Sequence, residues 1–165
     1  MATPSDAHLL AFGRIIHNFA SVEMGIKITV SGVLEVHLDA ALIAFQPYSA
    51  TDLRNVAKSL SKERLKPKDA EQFCCIIGDW FKFNTLRNVI AHSRWTDGQR
   101  PRSIKPRRLN IRQGKADWFG NKLDEEDFTA EELEARAEEL HLINERTKKF
   151  LQTSGLADVI ESKID

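Results

Sequence analysis

Cysteine is nearly missing. The 165-residue chain holds two, Cys74 and Cys75, side by side. Adjacent cysteines rarely bridge each other, and two thiols alone make no metal site. A disulfide scaffold and a thiolate metal centre are therefore not expected, and both residues read as small apolar fillers in a reduced, cytoplasmic protein. Long apolar runs are missing as well. No stretch reaches about 18 uninterrupted apolar residues, so no membrane-spanning helix is expected. The opening MATPSDAHLL lacks a basic segment followed by an apolar one, so no secretory signal is expected either. Net charge is also absent, because 24 Lys and Arg balance 24 Asp and Glu. That excludes a bulk polycation that coats nucleic acid with its whole surface. There is no internal repeat and no low-complexity run.

What is present is ordinary for a folded chain. Hydrophobic residues make up 42% and charged residues 29%, which excludes wholesale disorder. The length fits one domain, residues 1–165, around one core. The charge is segregated, however. Residues 100–115 hold seven basic side chains (Arg100, Arg102, Lys105, Arg107, Arg108, Arg112, Lys115) and no acid. Residues 117–139 hold ten acids against Lys122 and Arg136. The basic run reads either as a solvated loop or as a nucleic-acid contact. The acidic run reads as a solvated helix face or as a surface that docks on the basic segment.

Helical periodicity dominates. Leu9, Phe12, Ile16, Phe19, Glu23, Ile26, Val30 and Val33 step by threes and fours, which predicts a helix over 7–37 starting at Ser5 or Asp6. Gly25 and Gly32 lie seven apart on another face. Each costs a helix about 1 kcal/mol relative to alanine, and the close approach of a neighbouring helix is the expected compensation. Residues 38–46 read as a short helix stopped by Pro47. Residues 51–65 read as a helix with Leu53, Val56 and Leu60 inward. One long helix is expected over 68–92, with Phe73, Ile76, Ile77, Trp80, Phe83, Leu86 and Ile90 on its apolar side. Over 99–121 the pattern changes to the alternation Arg108-Leu109-Asn110-Ile111-Arg112, a turn at Gln113-Gly114-Lys115 and a return through Ala116-Asp117-Trp118-Phe119, which predicts a β-hairpin. Thr129 and Glu132 form a capping box that opens the last long helix, and Gly155 is its expected stop. The expected fold class is all-α: a four-to-five-helix up-and-down bundle with a small hairpin inserted before the last long helix.

The stretch that carries chemistry is Arg87-Asn88-Val89-Ile90-Ala91-His92-Ser93-Arg94-Trp95. On an ideal helix Asn88 and His92 share a face, and Arg87 and His92 are about 7.5 Å apart along the axis. Arg94 falls nearly above Arg87 if the helix continues. Histidine titrates near neutrality, so it can take a proton from a 2′-hydroxyl or give one to a leaving oxygen. Arginine matches the phosphate fork and keeps its charge. Asn88 can hold the imidazole or a phosphate oxygen. No carboxylate pair or His–Cys cluster accompanies them, so nothing in the sequence suggests a bound metal or other cofactor. Glu23 interrupts an apolar stripe and needs a partner. That partner is either Arg87 or His92, in which case Glu23 orients the site, or a group elsewhere that serves the fold. His92 has its own structural reading, as a cation at a helix C-terminus.

Arg87 through His92 resembles the Arg-x4-His signature of the HEPN superfamily of helical bundles. Glu23 in the first helix, the basic residues of the second helix and Trp95 just past the histidine agree with it. The segment Arg54-Asn55-Val56-Ala57-Lys58-Ser59 starts alike but has no histidine. The resemblance implies a helical bundle, usually a homodimer, with two copies of the motif facing each other across a cleft. It implies a metal-independent endoribonuclease of toxin or defence type, with Arg87 and His92 catalytic and Asn88 the polar position. RNA or a nucleotide is then the ligand, and an antitoxin protein a possible partner. Arg94, Glu23, Arg107, Arg108 and Arg112 are the candidate substrate-binding residues. The alternative is a non-catalytic dimeric module of the same type, which binds a nucleotide or a protein partner.

Overall fold

The computed structural model describes residues 4–107, 109–112, 115–118 and 126–162, with side chains over 4–107 and 126–162. The chain divides into two compact units, each made of two segments: Met1–Asn18 with Phe83–Glu139, and Phe19–Lys82 with Leu140–Asp165. The protein is mostly helical. Among the described residues no helix is long and apolar enough to cross a membrane.

Helix α1 (Asp6–Leu34) contributes to both units. Ser5 stands just ahead of it, where its carbonyl accepts the Leu9 N–H at 3.0 Å. Its core face is Ala11, Phe12, Ile15, Phe19, Val22, Ile26, Val30 and Val33. The expected stripe is shifted at its start, because Leu9 is exposed and Ile16 only half-buried. The helix carries apolar residues on two adjoining faces, and spacing alone does not say which of them meets the core.

In the second unit, α2 (Leu38–Phe45) is capped by His37, whose Nδ1 accepts the Asp39 N–H at 3.3 Å. Helix α3 (Ala50–Arg64) opens on a capping box between Ser49 and Asp52 and packs on α4 (Pro67–Lys82). Leu53 and Ala57 are buried in α3, while Val56 and Leu60 are half-buried at its flank. From α4 the fully buried Trp80 stacks on Phe19 at 4.9 Å and donates its indole N–H to the Phe19 carbonyl at 3.2 Å. Phe73 stacks flat on Phe150 with centroids 5.1 Å apart. The two glycines of α1 are close-approach positions as expected. A Cβ on Gly25 would lie 2.8 Å from Thr147 Cγ2, and one on Gly32 would lie 3.2 Å from the Ile160 side chain. Cys74 is half-buried but Cys75 is exposed, so the filler reading fails for Cys75.

The expected helix over 68–92 is two helices. Phe83, buried at φ −85° and ψ −7°, separates α4 from α5 (Asn84–His92), and its carbonyl accepts the Arg87 N–H at 2.9 Å. The next residues, Asn84 and Thr85, are poor inside helices. The Asn84 side chain competes for backbone hydrogen bonds, and the branched Thr85 loses rotamer freedom.

The first unit also holds the strands. β1 (Arg94–Asp97), β2 (Ser103–Arg107) and β5 (Phe128–Thr129) form an antiparallel sheet in the order β1-β2-β5. β3 (Leu109–Arg112) and β4 (Lys115–Trp118) form a separate hairpin with Arg112 opposite Lys115. The expected hairpin is therefore present but shorter than 99–121, and the mostly helical fold expected carries in addition a small three-stranded sheet. Helix α6 (Ala130–Thr153) begins at the capping box: the Thr129 hydroxyl accepts the Glu132 N–H at 3.2 Å, and the Glu132 carboxylate accepts the Thr129 N–H at 2.9 Å. In this unit α6 meets α1 through ion pairs of Arg14 with Glu134 and Glu138, and through Asn18 Nδ2 donating to the Ala137 carbonyl at 2.9 Å. Gly155, at φ 75°, turns the chain into α7 (Leu156–Glu161).

Candidate functional site

Helix α5 orients the motif through two buried side chains. Leu86 and Val89 face inward. Arg87 and Asn88 are then half-buried at the flank, and His92 is exposed at the last residue. Arg87 Nη1 donates to Asn88 Oδ1 at 2.8 Å. The same bond occurs in α3, where Arg54 donates to Asn55 Oδ1 at 3.0 Å and no histidine follows. The Arg–Asn bond is thus local helix-surface chemistry, and His92 is what distinguishes the α5 motif. The His92 side chain makes no hydrogen bond or ion pair among the described residues.

The helix stops at His92. Ser93 takes extended angles, φ −104° and ψ 149°, and its N–H donates to the Val89 carbonyl at 3.0 Å. Arg94 is consequently on β1, which corrects the expectation that it stacks above Arg87 on one helix. The strand gives it another neighbour. In the β1–β2 register Arg94 lies opposite Arg107, Trp95 opposite Pro106, and Thr96 opposite Lys105. Arg94 and Arg107 are both exposed, and neither side chain makes an ion pair or hydrogen bond among the described residues. Like charges directly opposite on paired strands are unfavourable by a few tenths of a kcal/mol to about 1 kcal/mol. A bound anion would remove that penalty. The next residue points the other way: Trp95 packs on Phe12 at 4.6 Å between ring centroids and meets Phe128 edge-on at 6.3 Å. Trp95 is therefore core and rim, and it fixes the face on which Arg94 emerges.

No protein-family model, curated protein or solved structure matches this chain.

The remaining basic residues divide. The turn from β1 to β2 is clamped to the start of α6. Asp127 accepts the N–H groups of Gln99 and Arg100, the latter at 3.1 Å, and the Ser103 hydroxyl at 3.3 Å. Gly98 is required there, since a Cβ would lie 2.8 Å from Asp127 Cγ. Burial pushes the Asp127 carboxyl up, but the Gln99 and Arg100 N–H groups outweigh it and hold it below the usual carboxylate range. Arg100 grips Glu132 with two bonds of 2.7 Å, and its guanidinium holds the Glu132 carboxyl down at about 2. Asp127 and Glu132 of the acidic run therefore dock on this turn, and Arg100 is occupied by the fold. Arg108 lies outside the described residues, and Arg112 is placed by its backbone in β3. Glu23 forms its ion pair within α1, to Lys27 at 2.8 Å, which is the structural one of its two readings. The Arg94–Arg107 pairing is the feature that sequence reading missed. The alternation Ser103-Ile104-Lys105-Pro106-Arg107 is the signal for β2, masked by Pro106. Pro106 is tolerated because β2 pairs with β5 only at Ser103 and Ile104, so its missing N–H costs no ladder bond on that side.

Proposed function

We propose that the protein is a metal-independent endoribonuclease that cleaves RNA through the 2′-hydroxyl, as its resemblance to HEPN proteins of toxin or defence type implies. The observation that carries this reading is the exposed His92 followed two residues later by Arg94, with Arg107 set opposite Arg94 on the neighbouring strand. A proton-transfer group two residues before a strand pairing of two guanidinium groups, neither with a partner among the described residues, suits a phosphodiester. Arg94 and Arg107 bind the backbone phosphates. His92 acts as general base on the 2′-hydroxyl or as general acid on the leaving 5′-oxygen. Arg87, positioned by Asn88, stabilises charge that develops on the phosphoryl oxygens. The 2′-oxygen forms the new bond to phosphorus as the 5′-oxygen leaves with a proton, so the product ends in a 2′,3′-cyclic phosphate. The same reading carries a cytoplasmic homodimer with Arg87 and His92 near the interface, and an antitoxin protein as its inhibitor.

The test is RNA incubated with the protein in EDTA. General acid–base catalysis is worth roughly 10²–10⁴ in rate. His92→Ala should therefore abolish detectable cleavage with helicity intact. Arg87→Lys should fail too, because a point charge does not replace the guanidinium fork. RNA carrying 2′-O-methyl groups should resist. Cleavage that needs Mg²⁺, or that survives in His92→Ala, refutes the mechanism. The second reading, a non-catalytic module that binds a nucleotide or protein partner, is favoured by one feature: Arg87 is half-buried with its guanidinium bonded to Asn88, as a residue kept for the fold would be. Nucleotide binding without cleavage in the same assay selects it.

A further inference from the structure

Cys75 is exposed, where the core has no use for a small apolar side chain. With the half-buried Cys74 it lines a groove of about 500 Å³ within the second unit, between the end of α3 and the first half of α4. Leu65 and Ala70 supply apolar wall there, and the exposed Lys62 and Glu71 add one charge of each sign. Small-molecule sites have volumes of about 300–1,000 Å³ and are mostly apolar with a few polar groups. Neither thiol has a hydrogen-bond partner, and neither Lys62 nor Glu71 an ion pair, among the described residues.

The two thiols are no disulfide couple. Adjacent residues have Cα atoms about 3.8 Å apart across a trans peptide, short of the roughly 4.4–6.8 Å that a disulfide spans. Inside a helix their side chains also diverge by about 100°. Oxidation has no internal product while α4 holds, and a group added to one thiol is not expelled by the other. A free thiol in an apolar groove suits a soft electrophile with an apolar body. We propose that this groove is a covalent modification site for neutral α,β-unsaturated carbonyl compounds that carry an alkyl chain, with Cys75 as the nucleophile. The Cys75 thiol gives its proton to solvent, and the thiolate sulfur bonds to the β-carbon. The electron pair of the C=C bond moves onto the carbonyl as an enolate, and the α-carbon then takes a proton from water. The thiol is thereby added across the double bond, with nothing oxidised and no group leaving. Leu65 and Ala70 receive the chain. The Lys62 ammonium stabilises the charge that develops on the carbonyl oxygen. Glu71, one turn before Cys75 on α4, disfavours a ligand that bears a carboxylate, so a neutral ligand fits best. This inference does not depend on RNA cleavage.

The experiment is intact-mass kinetics on the full chain at pH 7 with N-octylmaleimide and N-ethylmaleimide, two such acceptors that differ only in chain length. Each rate is divided by that of glutathione with the same reagent, which removes intrinsic reactivity. The octyl reagent should then exceed the ethyl reagent about tenfold, the gain from burying about two of its added methylenes. Cys75→Ser should lose the fast reaction, and Cys74→Ser should keep it. Leu65→Ala should cut the octyl preference severalfold and leave the ethyl rate unchanged. Lys62→Gln should slow both reagents alike, by about threefold for an exposed charge. Circular dichroism confirms that each variant is folded. Equal normalised rates for the two reagents on wild type would make Cys75 an exposed thiol without a binding groove and overturn the proposal. Fast octyl labelling that persists in Cys75→Ser would overturn it as well.

Discussion

Glu132→Gln should lower stability at neutral pH and lose that effect in acid. Glu132 does two things at the start of α6: it accepts the Thr129 N–H, and it holds Arg100 with two bonds of 2.7 Å. Glutamine at that position keeps the cap but not the charge pair. The carboxyl falls from an ordinary 4.5 to about 2 in the fold. At 1.36 kcal/mol per pH unit that drop corresponds to a ceiling of about 3.4 kcal/mol. The Glu132 side chain is 46% exposed and that of Arg100 49%, so water and salt screen the pair and about 1 kcal/mol is the expected worth. The sign follows from the lowered folded value. The contribution is fully present above about 4.5 and is lost as pH falls from there toward 2. Urea unfolding of wild type and Glu132→Gln at pH 7 and pH 2.5 should show a difference of about 1 kcal/mol that shrinks in acid. A double-mutant cycle with Arg100→Gln should give a coupling of the same size. A difference that does not change with pH, or a coupling indistinguishable from zero, refutes the reasoning.

Two further perturbations concern the second unit. Gly25→Ala should destabilise by about 1–3 kcal/mol in thermal unfolding, although alanine is the better helix former. The added Cβ would lie 2.8 Å from the Thr147 methyl, and the Thr147 hydroxyl is tied to the Ile143 carbonyl at 2.8 Å. An unchanged or raised midpoint would show that the two helices separate at no cost. Phe150→Ala should cost about 3–5 kcal/mol in urea, because it removes the ring stacked on Phe73 and leaves a cavity in a buried layer. A loss below about 1 kcal/mol would mean that the site collapses around the gap.

Much of the helical layout is legible in the sequence because local signals set it. Ser5, Pro47, the Thr129–Glu132 box and Gly155 each mark a boundary that the structure keeps, and the two α1 glycines announce their neighbours. Features that depend on distant partners are not legible. The break at Phe83 lies inside an unbroken apolar periodicity. The core face of α1 is one of two adjoining apolar faces, and only the rest of the chain decides between them. β2 contains a proline, so its alternation reads as loop until β5 is seen to stop short of it. The site behaves the same way. Arg87, Asn88 and His92 are found from spacing, since a helix fixes them locally. The Arg94–Arg107 pairing depends on strand register between residues thirteen apart, and the occupation of Arg100 by Glu132 depends on a contact across 32 positions.

That division of the basic residues makes a prediction about affinity. A run of seven cations suggests seven equivalent phosphate contacts, but the structure makes them unequal. Arg100 already donates both terminal nitrogens to a carboxylate, so drawing it onto a phosphate would require breaking a bidentate pair. Arg94 and Arg107 have no such competitor among the described residues, and they repel each other until an anion arrives. Counterion release gives a slope of log K against log salt of about −0.7 for each phosphate contact on single-stranded nucleic acid. Arg107→Gln should therefore flatten the slope by about 0.7, and Arg94→Gln by the same amount. Changing Arg107, Arg108 and Arg112 together to glutamine should flatten it by up to about 2, with the fold intact. Arg100→Gln should leave the slope alone while it lowers stability. Fluorescence anisotropy of a labelled single-stranded RNA, using His92→Ala protein so that the probe survives, measures all four slopes. If Arg107→Gln leaves the slope unchanged, the Arg94–Arg107 pair is solvated surface. If Arg100→Gln flattens it, the Glu132 pair opens on binding and the proposed hierarchy of contacts is reversed.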